Sequence, residues 1–129
     1  PCTTQHSPWP WNKTLMTGDH DALLEVRQWL DPRLPGLGRT VFSEDTYLEI
    51  LPLGVSKGAA LSVLLEWEGI HPEEVVAIGD APNDRELLEL AGTGVAVANA
   101  APELKAVADA VVCSNEEHAV RACLERFFP

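Results

Sequence analysis

Polar side chains suited to binding a cation and a phosphate group follow one apolar segment of the chain. Residues 75–79 read Val-Val-Ala-Ile-Gly, which predicts a buried parallel strand, and Asp80, Asn83 and Asp84 come directly after it. In open α/β sheets, ligands bind at the carboxyl ends of the strands. Two carboxylates and an amide there, beside the start of a predicted helix at 85–90, suit a hard cation next to an anionic group such as phosphate.

A lysine upstream is the second residue with a chemical signal. Lys57 lies in the first turn of a predicted helix, behind Gly54-Val-Ser56. A cation near a helix amino terminus is mildly unfavourable, so we expect an anionic neighbour to compensate for it. Structural explanations compete at each position: Lys57 could be a solvated surface lysine, Asp80 a capping residue, and Asp84 an acid favoured by the helix dipole.

The sequence resembles the haloacid-dehalogenase (HAD) phosphatases, and within them the Cof-type subfamily. The pattern Gly-Asp-x-x-Asn-Asp at 79–84 is similar to the fourth motif of that family. Residues 47–58, Tyr-Leu-Glu-Ile-Leu-Pro-Leu-Gly-Val-Ser-Lys-Gly, resemble the segment that carries the third-motif lysine. The separation between Lys57 and Asp80, and Val-Ala-Val-Ala-Asn-Ala at 95–100, also resemble Cof-type proteins, and the similarity extends from about residue 13 to 128.

This resemblance implies Mg²⁺-dependent hydrolysis of a phosphomonoester, in which one aspartate attacks phosphorus and a second transfers the proton. Asp80 matches the family's Mg²⁺ ligand, and Asn83 matches the residue whose amide contacts the phosphoryl group. Asp84 matches the second acid, which either supports the metal shell or holds the lysine. Lys57 matches the lysine that neutralises the transferring phosphoryl group and the attacking carboxylate. The implied substrate is a small phosphorylated metabolite.

One motif of the family has no match in the chain. The Asp-x-Asp that carries the nucleophile should follow an apolar strand, whereas Asp19-His-Asp21 follows Met-Thr-Gly and opens a predicted helix. The chain therefore resembles the carboxyl-terminal half of such a phosphatase, and we expect it to be inactive, or nearly so, on its own. We also expect the strand at 75–79 to expose an unpaired edge, which would pair with the missing amino-terminal half, with a second copy, or in a rearranged sheet.

The sequence is compatible with two other functions. A non-catalytic interaction or dimerisation module that retains the HAD fold is the main alternative. A nucleotide-binding Rossmann module ranks lower, because the sequence has neither the Gly-x-Gly-x-x-Gly fingerprint nor a P-loop.

The predicted fold class is α/β, with part of a HAD-like parallel sheet preceded by part of an α+β cap. We expect an irregular lead-in at 1–12, the partial cap at 13–51 and the carboxyl-terminal part of the core at 52–129. Ser56 should begin a helix reaching about Gly69, whose inward face we predict as Ala59, Ala60, Val63, Leu64 and Trp67. Trp29 is likewise predicted to be core. We also predict a short helix at 102–108 and a capping box at 114–117 that opens the last helix.

Composition restricts the choice of partners. The net charge of −11 and the pI near 4.6 argue against non-specific binding to nucleic acid or to an anionic membrane. The three cysteines show no metal-ligand spacing, and no run of 18 apolar residues is present. From these features we expect a soluble cytoplasmic protein.

Overall fold

The computed structural model of the chain describes residues 12–129, so the predicted lead-in at 1–12 lies almost wholly outside the described residues. Six strands are present in this part of the chain: β1 Thr14–Thr17, β2 Gly38–Glu44, β3 Tyr47–Pro52, β4 Val76–Gly79, β5 Thr93–Val97 and β6 Ala110–Val112. The α-helices there are α1 His20–Leu30, α2 Lys57–Glu68, α3 Arg85–Leu90, α4 Pro102–Lys105 and α5 Ala119–Phe127.

The first three strands form an antiparallel sheet in the order β1-β3-β2, in which β2 and β3 form a hairpin. Asp19 caps α1 as predicted, because its carboxylate accepts a hydrogen bond of 3.1 Å from the backbone N–H of Asp21. Leu23 of α1 packs on Phe42 and Leu48 of the hairpin, and all three are buried. This small core holds α1 against the antiparallel sheet.

The remaining strands form a parallel sheet in the order β4-β5-β6, which confirms the α/β fold class. Its core contains small strand residues such as Ala77 and Ala96, packed with Leu88 of α3 and Leu104 of α4. The sheet and α3 approach closely at Gly94, where an added Cβ would lie 2.7 Å from the carbonyl oxygen of Leu88. Within the described residues β4 pairs with β5 alone, so β4 is an edge strand whose carboxyl end leads to Asp80.

The inward face predicted for α2 is wrong. Leu65 is only 6% exposed, whereas Val63, Leu64 and Trp67 are 47%, 50% and 79% exposed. Apolar residues occur all around this helix, so helical spacing could not identify the buried side. The core prediction for Trp29 is also wrong: it is 58% exposed and stacks against an arginine of the same segment.

The two last predicted helices differ in their bounds. α4 ends at Lys105, so it is shorter than the predicted helix at 102–108. The capping box is present, but it opens a 3₁₀ turn at Asn115–Glu117 instead of α5. His118 separates that turn from α5 because it adopts the left-handed conformation, with φ of 62°. Among the helices of residues 12–129, none is both long and apolar enough to cross a membrane.

Candidate functional site

A buried aspartate organises the loop at the carboxyl end of β4. The chain leaves Gly79, passes through a 3₁₀ turn at Pro82–Asp84 and enters α3. Asp84 is 4% exposed, and its Oδ2 accepts hydrogen bonds from the backbone N–H groups of Asp80 at 3.1 Å and Ala81 at 3.2 Å. Position 79 requires glycine, since an added Cβ would lie 2.6 Å from the Cβ of Asp84. The fold of this loop therefore depends on the carboxylate of Asp84.

Lys57 reaches the same carboxylate from the start of α2. Ser56 caps this helix through a 3.0 Å hydrogen bond that its hydroxyl accepts from the N–H of Ala59. The Nζ of Lys57 donates to Oδ1 of Asp84 in an ion pair, and it lies 3.4 Å from Oδ1 of Asn83, to which it also donates. The structure thus brings together three of the four site residues predicted from sequence, with Asp80 four positions before Asp84.

The charges at this contact are fixed by its surroundings. Burial alone would raise the pKa of Asp84, but the hydrogen bond from Lys57 and the N–H groups of Asp80 and Ala81 together hold that pKa below its usual value of 3.8. Asp84 is therefore a carboxylate at neutral pH. The side chain of Lys57 is 51% exposed, so its ammonium group keeps a solvent-facing side that can meet an anion.

Two cavities meet at Asp80. One, of about 710 Å³, is lined by Lys57, Asp80 and Asp84, by Ile78 and Gly79 of β4, and by residues at the start of α5 that include His118. The other, of about 630 Å³, lies between the hairpin turn at 43–46 and Asp80. Asp80 is exposed, and no hydrogen bond to its carboxylate oxygens is found within residues 12–129. Its carboxylate can therefore bind a ligand in either cavity.

The residues present fit only part of a Mg²⁺ site. No group of three or more His, Cys, Asp or Glu side chains that could hold a metal occurs in the described part of the chain. Both oxygens of Asp84 already accept hydrogen bonds, whereas Asp80 is exposed and lines both cavities. Mg²⁺ is usually held by one or two carboxylates together with waters and substrate phosphates, so Asp80 suits one position of such a shell. The metal roles of Asp80 and Asp84 stay predictions.

Several polar residues around this site were not predicted as site residues from the sequence. Asn99 follows β5, and its Oδ1 accepts hydrogen bonds from the N–H of Asn115 at 3.1 Å and from the hydroxyl of Ser114 at 3.2 Å, which joins the ends of β5 and β6. Arg39 of β2 forms an ion pair with Glu86 of α3. Arg39 and Glu86 are 47 positions apart, so no local pattern relates them. Asn99 lies in the segment at 95–100 that resembles Cof-type proteins, but the resemblance implied no role for this residue.

Comparison with known proteins agrees with this geometry. A family model for haloacid dehalogenase-like hydrolases matches residues 4–124. The chain belongs to this family. The resemblance to HAD phosphatases inferred from the motifs at 79–84 and 47–58 is thereby confirmed, and the HMP-PP phosphatases among its relatives support the Cof-type assignment.

Relatives and solved structures match the chain over most of its length. The HMP-PP phosphatase of Citrobacter koseri is 45% identical over 92 residues, which cover 71% of this chain and 34% of that protein. The chloroplastic endoribonuclease YBEY of Arabidopsis thaliana is 44% identical over 87 residues, which cover 67% of this chain and 15% of that protein. The crystal structure of a haloacid dehalogenase-like hydrolase from Bacteroides thetaiotaomicron superposes with a TM-score of 0.76 at 42% identity, covering 92% of this chain and 45% of that one.

These matches share one property. The chain spans about a third of the curated phosphatase it matches and less than half of the solved structure. A whole protein's activity therefore does not transfer directly to this chain.

Proposed function

We propose that the chain provides the lysine and fourth-motif half of a HAD-type phosphomonoesterase site that acts on a small phosphorylated metabolite. The observation that carries the proposal is the contact of the Lys57 ammonium with the buried Asp84 and with Asn83, at the wall of a cavity that Asp80 also lines. A half-exposed cation beside an amide, at the carboxyl end of a parallel strand, suits the binding of a phosphoryl group. The family match and the phosphatase relatives support this choice.

Each side chain has a distinct role in this proposal. Lys57 offsets the negative charge of the phosphoryl group and of the attacking carboxylate. Asn83 donates from its side-chain amide to a phosphoryl oxygen, while its Oδ1 accepts from Lys57. Asp84 holds Lys57 and the loop that follows β4. These roles concern binding and charge, because lysine and amide groups supply no covalent catalysis here.

Asp80 would hold Mg²⁺ through its carboxylate, with waters and substrate oxygens filling other positions. When bound, Mg²⁺ would polarise the phosphoryl oxygens and lower their negative charge. A contribution of Asp84 to the same metal shell remains the alternative to its role as the partner of Lys57.

The nucleophile and the general acid–base must come from outside the described residues. Asp19 and Asp21 do not suit these roles, because Asp19 caps α1 beside the antiparallel sheet and Asp21 lies in the exposed first turn. The chain alone is then inactive, and its partner in catalysis is an amino-terminal half that carries Asp-x-Asp; without that half, a second copy would pair with the edge of β4. The unpaired edge and the 710 Å³ cavity beside Ile78 and Gly79 support this arrangement. A monodisperse monomer in sedimentation analysis would argue against self-association.

Two measurements test the proposal. An NMR titration with inorganic phosphate in the presence of Mg²⁺ should shift the N–H signals of Asp80 and Ala81. Replacing Lys57→Met should weaken binding about tenfold or more, since a charged hydrogen bond is worth ~1.5–3 kcal/mol. Lys105→Met is the matched control. Equal phosphate binding by wild type and Lys57→Met would refute the assignment.

The second measurement is phosphate release from p-nitrophenyl phosphate with Mg²⁺, on chain of confirmed intact mass. We expect no release from wild type or from Asp80→Asn. Release by the wild type that disappears in Asp80→Asn would mean that the chain contains a nucleophile, and the half-site proposal would be wrong.

A non-catalytic interaction module remains the second candidate. The observation that favours it is the combination of the unpaired β4 edge with the exposed apolar residues of α2. We do not extend the endoribonuclease name to this chain, since the match covers 15% of that protein and the net charge of −11 disfavours binding to RNA. We propose the cytoplasm as the compartment of the protein. The division into a partial cap at 13–51 and a core part at 52–129 stays a prediction.

A further inference from the structure

An arginine of the antiparallel sheet contacts the parallel half of the chain beside the candidate site. Arg39 lies in β2, and its Nη1 donates to the carboxylate of Glu86 in an ion pair. Its Nη2 donates to the carbonyl oxygen of Val55 at 3.1 Å. The Nε of Arg39 is buried and has no hydrogen-bond partner within the described residues. One planar guanidinium group thus joins two segments that are 31 positions apart.

Both partners of Arg39 lie next to site residues. Val55 precedes Lys57 by two positions, and Glu86 follows Asp84 by two positions. The hydroxyl of Ser56, the cap of α2, is the main cause that lowers the pKa of Glu86, with burial opposing it and the ion pair with Arg39 adding to it. The carboxylate of Glu86 therefore interacts both with Arg39 of β2 and with Ser56 at the start of α2.

The packing around this contact is tight on one side and open on the other. Gly58 touches α3 so closely that an added Cβ would lie 2.6 Å from the carbonyl oxygen of Glu86. On the other side, a cavity of about 230 Å³ is lined by Arg39, Ser56, Lys57 and Asn83 among others. Because protein atoms pack closely on only one side, the hydrogen bonds of Arg39 contribute to the position of the start of α2.

We propose that Arg39 is a positioning residue that aligns Lys57 with Asp84 and Asn83 by holding Glu86 and the carbonyl group of Val55. The presentation of the lysine thereby depends on the position of the antiparallel sheet. The value of this alignment for catalysis rests on the proposed function, but the alignment itself can be measured without any activity.

Lysine reactivity provides that measurement, since the chain has only three lysines, Lys13, Lys57 and Lys105. Acetylation of the whole chain with limiting reagent, followed by mass spectrometry, gives a rate for each. Arg39→Met should raise the rate at Lys57 about three- to fivefold, the effect of losing a partly exposed ion pair and its hydrogen bonds, and leave Lys13 and Lys105 unchanged. Lys13 pairs with Glu49 of the antiparallel sheet at 2.9 Å, so it reports any general loosening of that sheet.

Three further variants sharpen the test. Glu86→Gln removes the same ion pair from the other side and should raise the acetylation rate at Lys57 by the same factor. It replaces Arg39→Met in the test if that variant does not fold. Combining it with Arg39→Met should add little to either single effect, because both remove one network. Arg27→Met is the matched control: it removes an arginine of α1 that pairs with Asp31, and it should leave Lys57 unchanged.

The possible results separate this inference from the proposed function. An unchanged rate at Lys57 in Arg39→Met and Glu86→Gln would overturn the positioning role. Equal increases at all three lysines would also overturn it, since they would indicate a general structural effect. If the rate at Lys57 rises selectively while phosphate binding is the same in wild type and Lys57→Met, then the alignment is supported and the proposed function fails.

Discussion

Replacing Asp84→Asn should destabilise the chain far more than its small change in shape suggests. The carboxylate accepts hydrogen bonds from Lys57 and from the backbone N–H groups of Asp80 and Ala81. An asparagine side chain offers one accepting oxygen and one donating NH₂ group. Whichever way the amide is turned, its NH₂ faces either the Lys57 ammonium or the two backbone donors. At least one pair of donors is therefore opposed.

The magnitude follows from what each lost partner can find in its place. Lys57 is half exposed, so water replaces much of its interaction with Asp84. The two backbone N–H groups lie against a residue that is 4% exposed, and hydrogen bonds to a charged acceptor are worth ~1.5–3 kcal/mol each. We therefore expect Asp84→Asn to lower the free energy of unfolding by ~2–4 kcal/mol at pH 7, which urea denaturation measures. Asp21→Asn, at an exposed acid in the first turn of α1, is the control and should change it by less than ~0.5 kcal/mol.

The pH dependence of stability provides a second, independent test of this prediction. The pKa of Asp84 is lowered in the folded chain relative to 3.8, so its stabilising contribution is present above that value and is lost as pH falls through the lower, folded pKa. The difference in stability between wild type and Asp84→Asn should be constant from pH 7 to about 5 and shrink on further acidification. A difference below ~0.5 kcal/mol at pH 7, or one that does not change down to the pH of acid unfolding, would refute the account of Asp84.

Three pairs of substitutions test the packing. Gly58→Ala should lower the free energy of unfolding in urea by ~1–3 kcal/mol, because its Cβ would lie 2.6 Å from the backbone of α3. Gly18→Ala should be tolerated, because the nearest neighbour of its Cβ would be 3.8 Å away. Equal effects of the two substitutions would contradict the close contact at Gly58. His118→Gly should raise the free energy of unfolding by ~1 kcal/mol in thermal denaturation, because the φ of 62° strains any residue except glycine. His118→Ala should not raise it. Trp67→Gln should stay within ~0.5 kcal/mol and Leu65→Ala should cost ~2–4 kcal/mol; the reverse order would mean that the opposite face of α2 is buried.

The elements with strong local signals were predictable. Asp19 and Ser56 are capping residues that begin helices where expected, and the apolar run before Gly79 forms the parallel strand. The resemblance to a family placed Lys57, Asn83 and Asp84 in one site and gave the contact of Asp84 with the lysine as one of two alternatives, since the distance along the chain between residues 57 and 84 gives no information about their separation in space. Local signals therefore predicted elements, and only the family motif predicted that two of them meet.

The features that escaped prediction share a physical cause. The buried face of α2 depends on which side α3 covers. Because apolar residues occur all around α2, its sequence does not indicate which side that is. The left-handed backbone of His118 lies at a position where glycine would be the usual signal of such a conformation. Arg39 and Glu86 are ordinary surface-type residues in the sequence, and only the fold brings β2 next to α3.

The geometry of Asp84 also restricts how the two roles allowed by its family resemblance can be combined. Its Oδ2 fixes the loop that presents Asp80, and its Oδ1 fixes the ammonium group of Lys57. A metal ion bound directly to Oδ1 would bring a second positive charge against Lys57, and direct binding to Oδ2 would compete with the two backbone donors. Asp80, which is exposed and lines both cavities, carries neither cost. We therefore propose separate roles for the two acids, in which Asp80 would bind the cation and Asp84 holds the groups that surround it.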